Sequence, residues 1–194
     1  TYYPNTLSTY INNFKIYGDS FFYGGSLEPD YQELPVQWLI PFLPNSAKGF
    51  SLGPDIIEHK RPDFLGGNHA VFRKHLIEVG GYDTGCAVGN NNGLVGEETR
   101  LQQALLHKKI KGLYLPEACV KHYVPRQNCS KQWILQRAKR HGLTEGVSYP
   151  KNSYKKLFGI PTYHFRIIIT QMLHIIINVR NKERQFKSRY VLAF

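Results

Sequence analysis

Cysteine is scarce in this chain, and acidic residues are outnumbered. Cys86, Cys119 and Cys129 stand far apart, with no C-x-x-C pair among them. So odd and sparse a set argues against a disulfide framework and a thiolate zinc site, and suits a reducing compartment. Core or loop positions are the expectation for all three. No stretch approaches the roughly 20 apolar residues that a bilayer-spanning helix needs. The 14 acids face 25 lysines and arginines, a formal net charge of +11. That surplus calls for anionic partners, whether membrane phospholipid, nucleic acid or a phosphate-bearing substrate, without choosing among them. The bases gather after Lys108, above all in Arg126 to Arg140 and Arg180 to Arg189. What is plentiful is apolar: 42% hydrophobic and 13% aromatic residues exclude a disordered tail. At 194 residues the chain can bury one sizeable core, and one domain is the default count.

The stretch from Phe64 to Tyr123 organises the rest, with Gly96-Glu97-Glu98-Thr99-Arg100 at its centre. Leu101, Ala104 and Leu105 then recur at helical spacing, which predicts a helix opening at the two acids. Lys108, Lys109 and Lys111 suit its end and Gly112 its stop. One reading of Glu97 and Glu98 is therefore plain: first-turn acids on a solvated helix. Upstream lie Phe64-Leu-Gly-Gly-Asn-His-Ala-Val-Phe-Arg73 and the turn Gly80-Gly-Tyr-Asp83. Downstream lies Tyr114-Leu-Pro-Glu-Ala-Cys-Val-Lys-His122.

In this order the segments resemble the second half of a family 2 glycosyltransferase of the GT-A type. There a Gly-Asn-x-Ala-x-Arg segment precedes a Gly-Gly-Tyr/Phe-Asp turn, a Gly-Glu-Asp/Glu helix start and a Pro-Glu-Ala-x-Val-x-His strand. The resemblance runs from about Gly24 to about Gly146. It implies an α/β fold, a partial GT-A (nucleotide-diphospho-sugar transferase-like) domain over residues 1–148 that lacks the nucleotide-binding half. A basic linker and amphipathic C-terminal helices would fill residues 149–194. The family's Asp-x-Asp motif is missing: the aspartates are Asp19, Asp30, Asp55, Asp63 and Asp83. The expectation is a fragment whose donor-binding part precedes Thr1 and which is inactive alone.

The remaining segments read less sharply. Residues 1–14 are polar and show no period, and Phe14 to Tyr23 predicts a short strand. Gly24 to Trp38 reads as a loop, and Trp38, Leu39, Ile40, Phe42 and Leu43 as core or as an acceptor-side wall. Ser46 to Asp63 also reads as a loop. A short helix is expected from about Lys74 to Val79, and a mobile loop from Gly85 to Gly93 around Asn90-Asn91-Asn92. Leu113 to Leu115 and Cys119 to Val124 read as two short strands around Pro116-Glu117. From Ser130 to Gly142 the pattern is helical, with Trp133, Ile134 and Ala138 apolar and Lys131, Arg137, Lys139 and Arg140 basic. Phe165 to Val179 carries ten apolar residues in fifteen. At that length a helix is preferred over a strand. Its basic flanks fit a helix lying on an anionic membrane, and a core helix is the alternative. Another short helix is expected over Arg184 to Phe194.

By resemblance the activity is inverting transfer of a sugar from a nucleotide-sugar donor to a saccharide or lipid-linked acceptor hydroxyl, in cell-surface polysaccharide or glycolipid synthesis. The second acid of the family's pair is the usual base, so Glu98 takes that role and Glu97 supports it. Glu98 is one methylene longer than the commoner Asp. Gly67, Asn68 and Arg73 would line the substrate floor, with pairing to an acid the alternative for Arg73. A hydrogen-bonded structural histidine and a diphosphate contact are both open for His69. Arg126 and Arg137 would meet the donor diphosphate, a solvated basic face being the alternative. Mg²⁺ or Mn²⁺ would be the cofactor, with His122 as a ligand or as an ordinary strand-end histidine. The expected place is the cytoplasm, at the inner face of the plasma membrane for a membrane-bound form. No nucleic-acid partner is expected. The rivals are a non-enzymatic basic module for anionic membrane or nucleic acid, and a hydrolase using Glu97 or Glu98 with Glu117.

Overall fold

The computed structural model describes residues 1–86, 93–148 and 155–194. In chain order the elements are α1 (Thr6–Tyr17), β1 (Phe21–Tyr31), α2 (Asn45–Lys48), β2 (Ile57–His59), β3 (His69–Ala70), α3 (Arg73–Glu78) and α4 (Glu97–His107). There follow β4 (Lys111–Val124), α5 (Lys131–Ser148), β5 (Lys156–Leu157), β6 (Ile160–Pro161), α6 (Thr162–Ile177) and α7 (Lys182–Ala193). The chain is thus mixed α/β. Four strands form a mixed sheet in the order β2-β4-β1-β3, with β1 and β4 parallel and both outer strands antiparallel to their neighbours.

Alternation along the two central strands feeds two cores. Phe22 of β1 and Tyr114 and Val120 of β4 face Leu101 and Leu105 of α4, together with Phe50 and Phe64. Tyr23, Leu113, Leu115 and Ala118 face the other way, against Tyr10 and Phe14 of α1. A period of two puts successive side chains on opposite faces, so each strand can serve both layers. A third core joins Leu39, Leu43 and Ala47 to Val124, Cys129, Ile134 of α5 and Phe186 of α7. Trp38 and Phe42 meet the Phe186 ring edge-on at 5.5 and 5.3 Å. Trp38, Leu39, Phe42 and Leu43 are therefore core-packing residues, one of their two expected roles.

Several expectations need correction. Residues 1–14 are not irregular: α1 runs to Tyr17, so Phe14 is helical and the strand begins only at Phe21. The segment from Gly24 is strand as far as Tyr31, not loop. A methyl group on Gly24 would lie 2.1 Å from Phe64 Cγ, and one on Gly25 1.9 Å from the Ala118 carbonyl oxygen. The glycines are there because neighbours come so close, as glycine in a strand often signals. The Ser46–Asp63 segment holds α2 and β2. The two short strands expected around Pro116 are one long strand, β4. Between the pairs Gly25↔Leu115 and Leu27↔Val120, β4 carries four residues against the single Ser26 of β1. Pro116, which has no N–H to offer a ladder, sits in that bulge, and its carbonyl accepts from Ser26 Oγ at 2.9 Å.

The α4 helix begins at Glu97 as expected but ends early. Lys109 adopts φ 65°. The amides of Lys109 and Ile110 donate back to Leu106 and Leu105 at 2.9 and 3.0 Å, which is a Schellman ending built on lysine. Gly112 is not the stop. It is a β4 residue squeezed between Phe64 and the His59 carbonyl. Helix α5 continues past Gly142 to Ser148. The α7 helix packs into the third core through Phe186. The Asn90-Asn91-Asn92 run lies outside the described residues. Cys86, Cys119 and Cys129 are free thiols, the first and last buried.

Candidate active site

One tight turn gathers the candidate residues. Gly66, Gly67 and Asn68 form a 3-10 turn leading into β3. Asn68 is buried and its side chain is fully engaged. Its Nδ2 donates to the Ser26 and Ala118 carbonyls at 2.7 and 2.6 Å, and its Oδ1 accepts from the Tyr10 hydroxyl at 2.8 Å. Asn68 therefore builds the turn, and no donor or acceptor of the side chain points outward for a substrate. The physical reason is burial: an amide this deep must be hydrogen-bonded. The same geometry holds the Tyr10 hydroxyl in its protonated form, because burial disfavours the phenolate.

The glycines of this turn are exposed and have different neighbours. A methyl group on Gly66 would lie 3.5 Å from the Glu98 carboxylate, and one on Gly67 3.8 Å from His122 Cδ2. Glu98 and His122, far apart in sequence, thus flank two consecutive glycines. Gly96 sets the approach of α4: at φ 97° and ψ 36° it takes the left-handed conformation that glycine tolerates best. The preceding amide, Val95 N–H, donates to Thr144 Oγ1 of α5 at 3.0 Å. Arg137 lies two turns before Thr144, on the same face of α5. Burial pulls the Arg137 guanidinium below the usual arginine range, and the negative charge of Glu98 opposes that pull. Arg137 and Glu98 are therefore within electrostatic reach.

The adjacent acids diverge, as neighbours on a helix must. Glu98 acts on His69 and Arg137 and Glu97 on Cys86, while both act on Tyr82. His69 Nδ1–H donates to the Leu65 carbonyl at 3.2 Å, leaving Nε2 to accept from the Tyr82 hydroxyl at 2.8 Å. Burial lowers the His69 pKa, with the Leu65 carbonyl and Glu98 opposing. Of its two expected roles, His69 has the hydrogen-bonded structural one.

Gln102 is the residue that sequence reasoning missed. It sits one turn after Glu98 on α4 and is fully buried. Its Nε2 donates to the Phe64 carbonyl at 2.7 Å, and its Oε1 accepts from the Phe64 amide at 3.1 Å. That two-bond clip ties α4 to the strand of chain entering the glycine turn. The available signal was its place directly after Leu101, at i+4 from Glu98.

His122 lines a cleft of about 300 Å³ with Gly67, Val120, Lys121, Tyr123 and the first two residues. Its Nδ1 is buried and has no hydrogen-bond partner. Such an orphaned group costs about 1–3 kcal/mol, which a ligand atom would relieve. For Mg²⁺ or Mn²⁺ the fit is poor. Among the described residues no three His, Cys, Asp or Glu side chains come together to hold a metal. Magnesium prefers oxygen donors, and a single imidazole nitrogen is no site for either ion.

Two expected site residues lie apart. Arg126, beyond the end of β4, pairs with Glu33 at 3.0 Å on an exposed surface. Arg73 is exposed at the start of α3 and makes no ion pair among the described residues, so the alternative of an acid partner is not met. Asp83 of the Gly-Gly-Tyr-Asp turn is structural: it accepts from the Gly85 amide and from Arg100, which hold its carboxyl below the usual range. Comparison with protein-family models, curated proteins and solved structures finds no match to this chain.

Proposed function

We propose that these residues form the acceptor side of an inverting glycosyltransferase of the GT-A type, with Glu98 as general base. The supporting observation is the pairing of Glu98 and His122 across the exposed Gly66-Gly67 turn. A turn without side chains lets a sugar hydroxyl approach the Glu98 carboxylate. The base removes the hydroxyl proton as the oxygen attacks the anomeric carbon, and the nucleoside diphosphate leaves from the opposite face. Arg137, within electrostatic reach of Glu98, is the cation proposed to meet the phosphate charge of the leaving group. Gln102 positions the turn beside the carboxylate, and Glu97 acts on Tyr82 and Cys86. The His122 ring lines the cleft beside Gly67, where it would contact the donor. A divalent cation would need oxygen donors from elsewhere, and no step is assigned to one. The nucleotide of the donor is held by groups other than these.

The test is to incubate the full-length protein with a panel of nucleotide sugars and saccharide or lipid-linked acceptors. Release of nucleoside diphosphate with product of inverted anomeric configuration, read by NMR, supports the reading. Release with retained configuration, or none from any donor, rejects it.

A further inference from the structure

Helix α6 turns its apolar side chains outward. None of its residues is buried, and α7 supports it along one side only. Ile169, Met172, Leu173 and Ile176 recur at helical spacing on the open side, Ile169 60% and Ile176 70% exposed. Immediately before α6, the β5–β6 hairpin carries Phe158 at its tip. This ring is 90% exposed and sits at φ 51°, with exposed Leu157 and Ile160 on either side. Soluble surfaces rarely keep contiguous apolar patches of this kind without a partner.

The charge beside the patch identifies that partner. From Lys155 to Phe194 there are eight lysines and arginines and a single acid, Glu183. Arg180, Lys182, Arg184, Lys187 and Arg189 are all exposed. A second copy of the chain would bring these cations against their like. An anionic bilayer surface complements them. The helix is also too short to cross: 16 residues extend about 24 Å against a hydrocarbon core of about 30 Å. No helix among the described residues is long and apolar enough to span a membrane.

We infer that α6 and the β5–β6 hairpin seat the chain flat on a bilayer rich in anionic phospholipid. The Ile169–Ile176 stripe and Phe158 enter the acyl boundary, and the cations from Arg180 to Arg189 lie among the headgroups. The inference rests on this surface alone and stands apart from the transferase reading.

Vesicle flotation of the full-length protein tests it. The protein should float with phosphatidylcholine vesicles containing phosphatidylglycerol, stay behind with phosphatidylcholine alone, and be released by salt. Ile169→Glu with Ile176→Glu should weaken partitioning by about a hundredfold or more, since each buried isoleucine contributes roughly tenfold or more. Phe158→Glu, on a separate element, should weaken it by about tenfold or more. Lys182→Ala, Arg184→Ala and Lys187→Ala together should cost about a hundredfold, at about fivefold per charge. All of these side chains are exposed, so unchanged circular dichroism should accompany each loss. Failure to float, or variants that float like the parent, would overturn the inference. So would a dimer in sedimentation that the isoleucine variants split while no flotation occurs, because the patch would then be an interface between copies.

Discussion

Replacing Gln102 with leucine removes both hydrogen bonds that clip the Phe64 backbone to α4. The Phe64 amide and carbonyl then stay buried without these partners. Each stranded group costs about 1–3 kcal/mol, so the pair costs about 4 kcal/mol. Leucine in place of a fully buried amide returns about 1 kcal/mol through apolar burial. The expected net loss is about 3 kcal/mol. With a urea m-value of about 2 kcal/mol/M, the unfolding midpoint should fall by about 1.5 M. Gln103→Leu, at the exposed neighbouring position, is the control and should stay within about 0.5 kcal/mol of the parent. A Gln102→Leu protein as stable as the Gln103→Leu control would refute the reasoning. It would mean that water or a shifted backbone satisfies Phe64, and that the clip does not set the turn beside Glu98.

Two further outcomes are expected. Lys109→Gly relieves a left-handed residue at a cost of roughly 1 kcal/mol, partly offset by the freedom glycine gives the unfolded chain. A net gain of about 0.5 kcal/mol in urea unfolding is expected, and a loss would show that Lys109 is not strained. His69 has its pKa lowered in the folded protein, so its contribution is fully present above the unfolded value of about 6.5 and is lost as pH falls below it towards the folded value. Melting temperatures between about pH 7 and about pH 5 should fall less steeply in His69→Gln than in the parent, and equal slopes would contradict this.

The start of α4 was legible because two acids precede a regular Leu101–Leu105 stripe. Its end was not. The cap glycine of most helices is here a lysine, while Gly112 looked like a cap but serves sheet packing against Phe64. Helix α1 escaped notice because its pattern is inverted. Thr6, Tyr10 and Asn13 face inward and form hydrogen bonds, whereas Leu7, Ile11 and Ile16 face solvent. The part of β1 from Gly24 to Tyr31 was mistaken for loop because Gly24, Gly25 and Pro29 are turn residues by propensity, and only tertiary crowding explains the glycines. At the site, the spacing of motifs brought Glu98, Gly67, Arg137 and His122 to notice. It could not separate Asn68, whose amide is consumed internally, from residues facing a ligand. Nor could it show that Arg126 pairs with Glu33. Those distinctions depend on which carbonyls and carboxylates happen to lie within reach after folding.

The most direct measurement is the turnover of Glu98→Gln at saturating donor in the full-length protein, with donor affinity determined alongside. Removal of a general base should lower kcat by about a hundredfold to ten-thousandfold and leave the donor Kd unchanged. Glu97→Gln should lose far less. Parental turnover in Glu98→Gln would contradict the assignment of Glu98, and with it the catalytic reading of the Gly66-Gly67 turn.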